Sequence, residues 1–243
     1  MKKLSLSRNQ IRYIAVLAML IDHTALFFLS PQASDAPFVQ TALYFAMRMI
    51  GRLTGPIMIF FLVEGFIHTS SRRNYGIRLL LFGLLSQIPY ALAHHNTIFV
   101  MDFNVILTLF LIFLMLEAAE RIEDPILNHL AVFALIMGTF CCDWGVIGPL
   151  MAWLFWRDRK DRKEQIKDFA VVSIIQIVSV VFVLSEKGYP WYEELWQIGL
   201  FLVIPFLFWY NGKPGKKTLF SKYFFYAIYP LHLLLIWYLK HGL

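Results

Sequence analysis

The motifs of the common soluble enzyme classes are missing from this chain. It has no Gly-x-Ser-x-Gly, Walker, His-Glu-x-x-His or Cys-x-x-Cys sequence, which argues against a serine hydrolase, a P-loop ATPase or a zinc peptidase. The two cysteines, Cys141 and Cys142, are sequence neighbours that can bridge only with strain, so they form no disulfide framework. Charged residues make up only 16% of the sequence. No metal site is predicted.

Apolar residues take the place of the missing charges. They make up 59% of the 243 residues, aromatic residues make up 17%, and the mean hydropathy is +0.62, which is more than a soluble core needs. The first apolar run, Ile11–Leu29, is longer than a signal-peptide core and has no small-x-small cleavage site, so it is interpreted as a membrane helix. The composition predicts an all-α, multi-pass membrane protein with one helical-bundle domain over residues 1–243.

Windows of about twenty residues predict about nine transmembrane helices. They lie near residues 11–29, 50–69, 77–93, 105–119, 127–140, 144–156, 169–184, 195–209 and 223–239. The segment Phe38–Met49 carries few charges and is predicted to be an interfacial or re-entrant helix. The joint Cys141–Gly145 is either a tight turn between two helices or the middle of a broken one.

Lysine and arginine in the short loops predict the orientation. They cluster before the first span and after the second, sixth and eighth spans, at Lys2, Lys3, Arg8, Arg72, Arg73, Arg78, Arg157–Lys163, Lys213, Lys216, Lys217 and Lys222. The alternate loops hold almost no cations, which places the amino terminus in the cytoplasm and the carboxyl terminus outside. The net charge of +6 follows from these loops and from attraction to anionic lipid headgroups, and it indicates no nucleic-acid surface.

Arg12 and His23 lie in the first apolar run with ten residues between them. Eleven helical steps leave only about 20° of rotation and give a rise of about 16 Å, so both side chains are predicted on one stripe of the helix. The histidine would then lie at about the middle of the bilayer and the arginine at its cytoplasmic rim. The alternative for His23 is a structural ring whose hydrogen bond goes to a backbone carbonyl.

Charged side chains inside membrane spans cost about 2.5–3.5 kcal/mol each, so each one marks a candidate functional position. Charged and titratable residues inside the spans are Asp22, His23, Arg48, Arg52, Glu64, His68 and His232. Asp22 points about 100° away from His23 on the helix, so we expect it to meet Arg48 or Arg52 of another helix. Such a buried ion pair is either structural or part of the site.

Glu64, His68 and Arg72 are spaced four and four, which predicts one polar ridge along the second helix and into the cytoplasmic loop. The ridge is a candidate entry for a phosphorylated or nucleotide-bearing ligand, with Arg72, Arg73 and Arg78 holding the phosphates. The alternative is that these arginines are ordinary topology anchors, which is the preferred interpretation for Arg73.

The last span offers His232 near its middle, and Pro230 in the same span leaves the backbone carbonyl one turn before the proline without its helical donor. If the bundle closes, His232 and His23 could meet. On the outer side, four polar or aromatic loop residues are candidates for the mouth of an acceptor site: Asp102, Asn104, Asp143 and Trp144.

Several motifs, in order along nearly the whole chain, resemble the TraX family of integral membrane proteins, named for the conjugative pilin N-acetylase. The motifs are Met19-Leu-Ile-Asp-His23, Met49-Ile-Gly-Arg-Leu53, Phe60-Phe-Leu-Val-Glu-Gly-Phe-Ile-His-Thr69, Tyr75-Gly-Ile-Arg-Leu79, Leu85-Ser-Gln-Ile-Pro-Tyr90 and Tyr229-Pro-Leu-His232. The family also resembles larger transmembrane acyltransferases whose first helix carries an arginine, ten residues and a histidine, as Arg12 and His23 do here.

The resemblance implies an acyl-CoA donor, most simply acetyl-CoA, that enters from the cytoplasm, and an acceptor protein, peptide or glycan that approaches from outside. The implied location is the cytoplasmic membrane of a bacterium. We take as candidate catalytic residues His23, Asp22, Arg48, Arg52 and His232. We take as candidate cofactor-binding residues Arg12, Glu64, His68, Arg72 and Arg78.

The leading hypothesis is therefore a membrane acetyltransferase that acts on pilin or on another envelope acceptor. A second hypothesis is a proton-coupled transporter in which protons pass along Asp22, His23, Glu64 and His232. The chain has no obvious internal repeat, which argues against that class. A third hypothesis is a non-catalytic partner in the assembly of a pilus or a secretion system.

Overall fold

A computed structural model describes residues 4–30, 37–216 and 218–242, with the backbone alone for residues 219–223. These residues form α-helices and no strand beyond isolated bridges, which confirms the predicted all-α class. The α-helices are α1 (Arg8–Thr24), α2 (Phe38–Gly51), α3 (Thr54–His68), α4 (Arg72–His95), α5 (Val105–Arg121), α6 (Pro125–Gly138), α7 (Ile147–Arg157), α8 (Arg162–Glu186), α9 (Val203–Trp209) and α10 (Leu219–His241). Lys2, Lys3 and Lys217, used above for the orientation, lie outside the described residues.

Short segments of other helix types join these elements. A π-helical turn, Ala25–Leu29, continues α1, and 3-10 helices follow α6 (Thr139–Cys141) and precede α9 (Leu195–Leu202). Polar side chains at the first turns fix where helices begin. Asn104 Oδ1 accepts from the Ile106 N–H of α5 at 3.0 Å, and Asp124 Oδ1 accepts from the Leu127 N–H of α6 at 2.8 Å. Such caps satisfy backbone donors that a helix cannot pair itself.

Four stretches of the described chain are long and apolar enough to cross a membrane. They are Arg8–Leu29, Phe38–His68, Arg72–His95 and Arg162–Glu186. Two shorter apolar stretches, Pro125–Cys141 and Leu195–Trp209, coincide with predicted spans. Length and apolarity together mark a membrane protein. The count of nine crossings stays a prediction.

The segment Phe38–Met49, predicted as an interfacial or re-entrant helix, is most of α2. Only Arg52 and Leu53 separate α2 from α3, and the two helices together make an apolar stretch of 31 residues. The helix break lies within a few residues of the predicted boundary at Met49 and Ile50, and the interfacial or re-entrant character of α2 stays a prediction.

The joint near Cys141 is a tight turn, one of the two alternatives that the sequence left open. The chain passes from the 3-10 helix through residues 142–146 into α7. The backbone of this turn is strained, because Trp144 and Val146 have φ angles of 62° and 58°. Hydrogen bonds from Phe103 N–H to Cys141 O (2.8 Å) and from Asp143 N–H to Phe103 O (2.9 Å) hold it against the segment before α5.

The two cysteines of this turn differ in environment, which gives a test of orientation. Cys141 is exposed, whereas Cys142 is buried, and burial raises the pKa of the Cys142 thiol to about 11. Since the thiolate is the reactive form, a membrane-impermeant maleimide is expected to label Cys141 on intact cells if the turn faces outward. Cys141→Ser should remove the label and Cys142→Ser should keep it. Labelling only after the cells are opened would contradict the predicted orientation.

The chain divides into two compact units, residues 1–58 with 157–216 and residues 59–156 with 217–243. In the first unit α1 packs against α2, and the 3-10 helix Leu195–Leu202 packs against α2 and α8. The segment before α1 is tied to the end of α9, because Leu6 N–H donates to Trp209 O at 2.7 Å and Asn211 N–H donates to Leu6 O at 3.0 Å.

In the second unit α4 packs against α10 and α5, and α5 packs against α6. Aromatic rings fill this core. Phe66 and Tyr75 both meet the ring of Phe113 edge-on, at 5.5 and 5.4 Å between centroids, and Phe82 of α4 stacks on Tyr226 of α10 at 4.3 Å. Large buried rings give the unit a rigid interior in which polar side chains have fixed partners.

Candidate functional site

The first unit contains a buried cluster of charges at Asp22, Arg48 and Arg52. Arg48 Nη1 lies 2.7 Å from Asp22 Oδ1, and Arg52 Nη2 lies 3.5 Å from Asp22 Oδ2. Asp22 and Arg48 are each only 8% exposed. The prediction that Asp22 meets an arginine of another helix is confirmed, and the carboxylate meets both. Such partners offset the cost of taking a carboxylate out of water.

Helices α1 and α2 approach each other very closely at Gly51. A Cβ atom at Gly51 would lie 2.0 Å from Asp22 Oδ1, so only glycine leaves room for the carboxylate between α1 and α2. The helix breaks immediately after Gly51, and Thr54 Oγ1 donates to Ala15 O of α1 at 3.0 Å just beyond the break. These contacts bring the end of α2 against the middle of α1.

The indole of Trp196, from the 3-10 helix Leu195–Leu202, completes the cluster. The Cζ atoms of Arg48 and Arg52 lie 4.3 and 4.5 Å from the centroid of its ring system. Both guanidinium groups are therefore within cation–π distance of one indole. Sequence reasoning missed Trp196, because a tryptophan in an apolar run is usually a core or lipid-facing residue.

His23 follows Asp22 directly on α1. Its ring is half-buried and meets the ring of Phe27 edge-on at 6.0 Å. The helix changes from α to π type two residues later, at Ala25. π-helical turns are rare and occur frequently at functional sites, so the local backbone is consistent with a functional histidine.

Arg12 lies eleven residues before His23 in the same helix, α1. Because α1 is continuous from Arg8 to Thr24, the eleven residue steps between them keep both side chains on one stripe, as predicted. Arg12 is half-buried near the start of α1. An arginine at this end of the helix is a candidate contact for a ligand phosphate.

The polar ridge predicted for Glu64, His68 and Arg72 is wrong, because the three residues are not on one helix. Helix α3 ends at His68, and Arg72 is the first residue of α4. Ser71 starts the new helix by accepting from the Asn74 N–H at 3.3 Å. Glu64 is buried in α3, and His68 Nδ1 lies 2.9 Å from the Glu64 carbonyl oxygen. The two serines after Thr69 are the sequence signal for this break.

Arg72 is held by two carboxylates in the second unit. Its Nη1 lies 3.2 Å from Glu117 and 2.6 Å from Glu120, and its guanidinium lies 4.0 Å over the ring of Phe66. A phosphate at Arg72 would have to compete with both carboxylates. Arg78 is exposed, with its Cζ 5.7 Å from the ring of Tyr75.

His232 is buried in α10, and its Nδ1 lies 2.8 Å from the carbonyl oxygen of Ile228. That hydrogen bond fixes the ring and indicates an Nδ1 proton, which makes Nε2 the acceptor nitrogen. His232 belongs to the second unit and His23 to the first, and their meeting stays a prediction.

Two of the residues predicted for the mouth of an acceptor site, Asn104 and Asp102, have different environments. Asn104 is fully buried; it caps α5, and its Nδ2 donates to Gly83 O at 2.9 Å and to Gln87 Oε1 at 2.8 Å. It therefore holds α5 against α4 rather than lining a mouth. Asp102 is half-buried, and its Oδ2 accepts from Tyr90 Oη at 2.9 Å.

His95 Nε2 also lies within 3.0 Å of Asp102 Oδ2, so three polar groups meet at this point. Sequence reasoning named Asp102 but missed Gln87, Tyr90 and His95 as its neighbours. Gln87 and Tyr90 lie within Leu85–Tyr90, one of the motifs that resemble the TraX family. The motif marked these residues as candidates but did not show which residues they contact.

The family model described as TraX protein matches residues 7–240. The chain belongs to the TraX family. The probable fimbrial assembly protein FimC, serogroup H1, of Dichelobacter nodosus is 31% identical over 249 residues, which cover 97% of this chain and 96% of that protein. No solved structure matches this TraX-family chain.

Proposed function

We propose that this TraX-family protein is an integral membrane acetyltransferase of the bacterial cytoplasmic membrane. In this proposal it moves an acetyl group from cytoplasmic acetyl-CoA to an acceptor on the outer side. The observation that carries the proposal is His23 on a membrane helix, directly after the Asp22 that binds Arg48 and Arg52. Acyl transfer needs a base and a donor to the oxyanion, and His23 and the two arginines are residue types that can supply them.

The chemistry can be written with residues of the first unit alone. The acceptor amine or hydroxyl attacks the thioester carbonyl carbon while its proton passes to the His23 imidazole. Imidazole suits this role because its pKa in water, about 6.5, lies close to neutral pH. The tetrahedral oxyanion is then stabilised by a guanidinium of the cluster, and collapse breaks the C–S bond. The coenzyme A sulfur leaves and takes a proton, so the free thiol is the second product.

Asp22 has two tasks in this scheme. Its carboxylate neutralises part of the charge of Arg48 and Arg52, which lowers the cost of burying them. It also fixes both guanidinium groups at one point, so that they need not reorganise when the oxyanion forms. Preorganised donors of this kind supply a large part of the rate enhancement in acyl-transfer enzymes.

Arg12 is proposed to bind a phosphate of coenzyme A at the cytoplasmic rim. A charge-assisted contact of this type contributes about 1.5–3 kcal/mol, so Arg12→Ala is expected to raise KM for acetyl-CoA by about tenfold or more. KM for the acceptor should change much less. The matched control is Arg73→Ala, which removes an exposed arginine at the start of α4. A donor KM unchanged by Arg12→Ala would refute the phosphate contact.

The acceptor is proposed to be a protein or peptide amino terminus connected with a pilus, with an envelope glycan as the alternative. The name of the relative, a probable fimbrial assembly protein, supports the link with pili. A protein amino terminus and a sugar hydroxyl both require the same base and the same oxyanion donor, so one site can serve either. Mass spectrometry of acetylated envelope material distinguishes them.

The test is an assay in inside-out vesicles that contain the protein and enclose a crude envelope extract of the host, with acetyl-CoA supplied from outside. The proposal predicts release of coenzyme A thiol above that of vesicles without the protein, and acetylation of a component of the extract. Background release in both preparations would refute the acetyltransferase.

Two other functions have specific support. Buried titratable residues in apolar helices, Asp22 and Glu64 among them, favour a proton-coupled transporter, for which a pH gradient would drive solute uptake without consumption of coenzyme A. The name of the relative favours a non-catalytic assembly partner. Absence of both transfer and uptake, together with co-purification of pilus components, would support that partner.

A further inference from the structure

The indole of Trp196 contacts two like charges. It is 5% exposed, and the guanidinium carbons of Arg48 and Arg52 both lie within 4.5 Å of its ring centroid. Arg48 and Arg52 are four residues apart at the end of α2, so their cations repel each other. The negative face of an aromatic ring offsets that repulsion, and its effect increases when water is excluded.

The position of Trp196 is fixed by backbone packing as well as by its ring. A Cβ atom at Gly199, one turn later on the same 3-10 helix, would lie 2.0 Å from Met49 O of α2. The two backbones therefore touch at a point where only glycine fits. Gln197, next to the tryptophan, donates to Glu194 Oε2 at 3.1 Å and ties the start of that helix. The indole is thus a rigid support under the arginines.

One hydrogen-bond donor of the Arg48 side chain has no acceptor among the described residues. Its Nη1 is bound to Asp22, but its buried Nε has no hydrogen-bond partner among the residues that the structure describes. A buried N–H without an acceptor costs free energy unless a ligand supplies one. The Arg48 side chain is 10% exposed, its guanidinium lies over the indole and one of its nitrogens is bound to Asp22, so the group has little freedom to turn.

We propose that Trp196 is a positioning residue for acyl transfer, which holds Arg48 so that its Nε–H can donate to the carbonyl oxygen as that oxygen becomes negative. Trp196 itself touches no reacting atom in this account. Arg52 shares the ring and stabilises the same arrangement. The inference rests on the proposed acetyltransferase function and adds a residue that acts only through the arginines.

The consequence is a selective loss of rate. A displacement of a catalytic group by about 1 Å can cost about 10²-fold, so Trp196→Leu, which keeps apolar volume but removes the aromatic face, is expected to lower kcat by about 10²-fold. KM for acetyl-CoA should stay within about twofold. Trp196→Phe retains an aromatic face and should recover activity to within about tenfold of wild type. Trp191→Leu, at an exposed tryptophan five residues earlier, is the matched control and should behave as wild type.

A combined substitution separates positioning from general support of the fold. If Trp196 acts only through Arg48, Trp196→Leu should lower the residual activity of Arg48→Gln by less than about threefold, because the positioned group is already gone. Equal activity of Trp196→Leu and wild type would overturn the inference. So would an equal loss in Trp196→Leu and Trp196→Phe, or a full 10²-fold loss in the Arg48→Gln background.

The controls also separate this inference from the proposed function. Absence of transfer by the wild-type protein refutes the acetyltransferase, and the role of Trp196 in it falls at the same time. Transfer by wild type that is indifferent to Trp196 refutes only the inference. If Trp196→Leu cannot be extracted from the membrane as a folded protein, the loss that Trp196→Phe causes in wild type is compared with the loss it causes in Arg48→Gln. A smaller loss in Arg48→Gln supports the inference, and an equal loss overturns it.

Discussion

Replacing His23 with alanine is expected to lower kcat for acetyl transfer by about 10²–10⁴-fold, the range that a positioned general base contributes. The acceptor would lose the group that takes its proton, while the buried pairs of Asp22 with Arg48 and Arg52 would remain. Insertion should not suffer, because alanine is neutral and small in a membrane helix. Acetylation of envelope material in vesicles, at matched protein levels, measures the effect.

The control for this prediction is His129→Ala. His129 is exposed near the start of α6, where its Nδ1 faces the carbonyl oxygen of Pro125, and it has no part in the proposed chemistry. We expect its variant to match wild type. Wild-type rates in His23→Ala would exclude His23 as the base, whereas loss of activity in both variants would point to a general effect of removing histidine.

The second large effect is on stability. Asp22→Asn removes the negative charge that Arg48 and Arg52 share at 2.7 and 3.5 Å. Removal of one partner of a buried ion pair leaves an uncompensated charge and costs about 3–5 kcal/mol, so a clear fall in the thermal unfolding temperature in detergent is expected. Glu164→Gln is the surface control, because its partner Lys167 is 69% exposed and such pairs contribute little.

A double variant identifies the source of that loss. Asp22→Asn combined with Arg48→Gln removes one of the two cations left uncompensated, so it should be less destabilised than the sum of the two single variants. Additive losses would mean that Asp22 stabilises the fold through something other than the arginines. An unfolding temperature of Asp22→Asn equal to that of wild type would contradict the buried cluster itself.

The sequence indicated the helices and the charge cluster because each follows from a strong local rule. Apolar runs such as Ile11–Leu29 exceed what any loop carries, and the structure has α1 and its π-helical turn over that run. Asp22 in such a run has few ways to stay ionised except an arginine from another helix, and Arg48 and Arg52 were the nearest candidates in sequence. Rules of burial therefore predicted a contact between distant residues.

The parts that the sequence did not predict depend on packing. Trp196 looks like any aromatic residue of an apolar run, and only the approach of Gly199 to α2 brings it under the arginines. The ridge through Arg72 failed because spacing by four assumes an uninterrupted helix, whereas Ser71 starts a new one. Asn104 reads as a loop residue, but its side chain is the cap of α5 and is fully buried.

The most direct test of the central claim follows the acetyl group itself. Inside-out vesicles enclosing a synthetic peptide with a free amino terminus receive acetyl-labelled acetyl-CoA from the outside only, which is the cytoplasmic face of the membrane. The account predicts labelled peptide in the lumen of wild-type vesicles and its loss in His23→Ala vesicles of the same protein content. Equal levels of labelled peptide in both kinds of vesicle would contradict the account. So would labelling by wild-type vesicles that does not exceed labelling by vesicles without the protein, both with the enclosed peptide and with an envelope extract enclosed instead of the peptide.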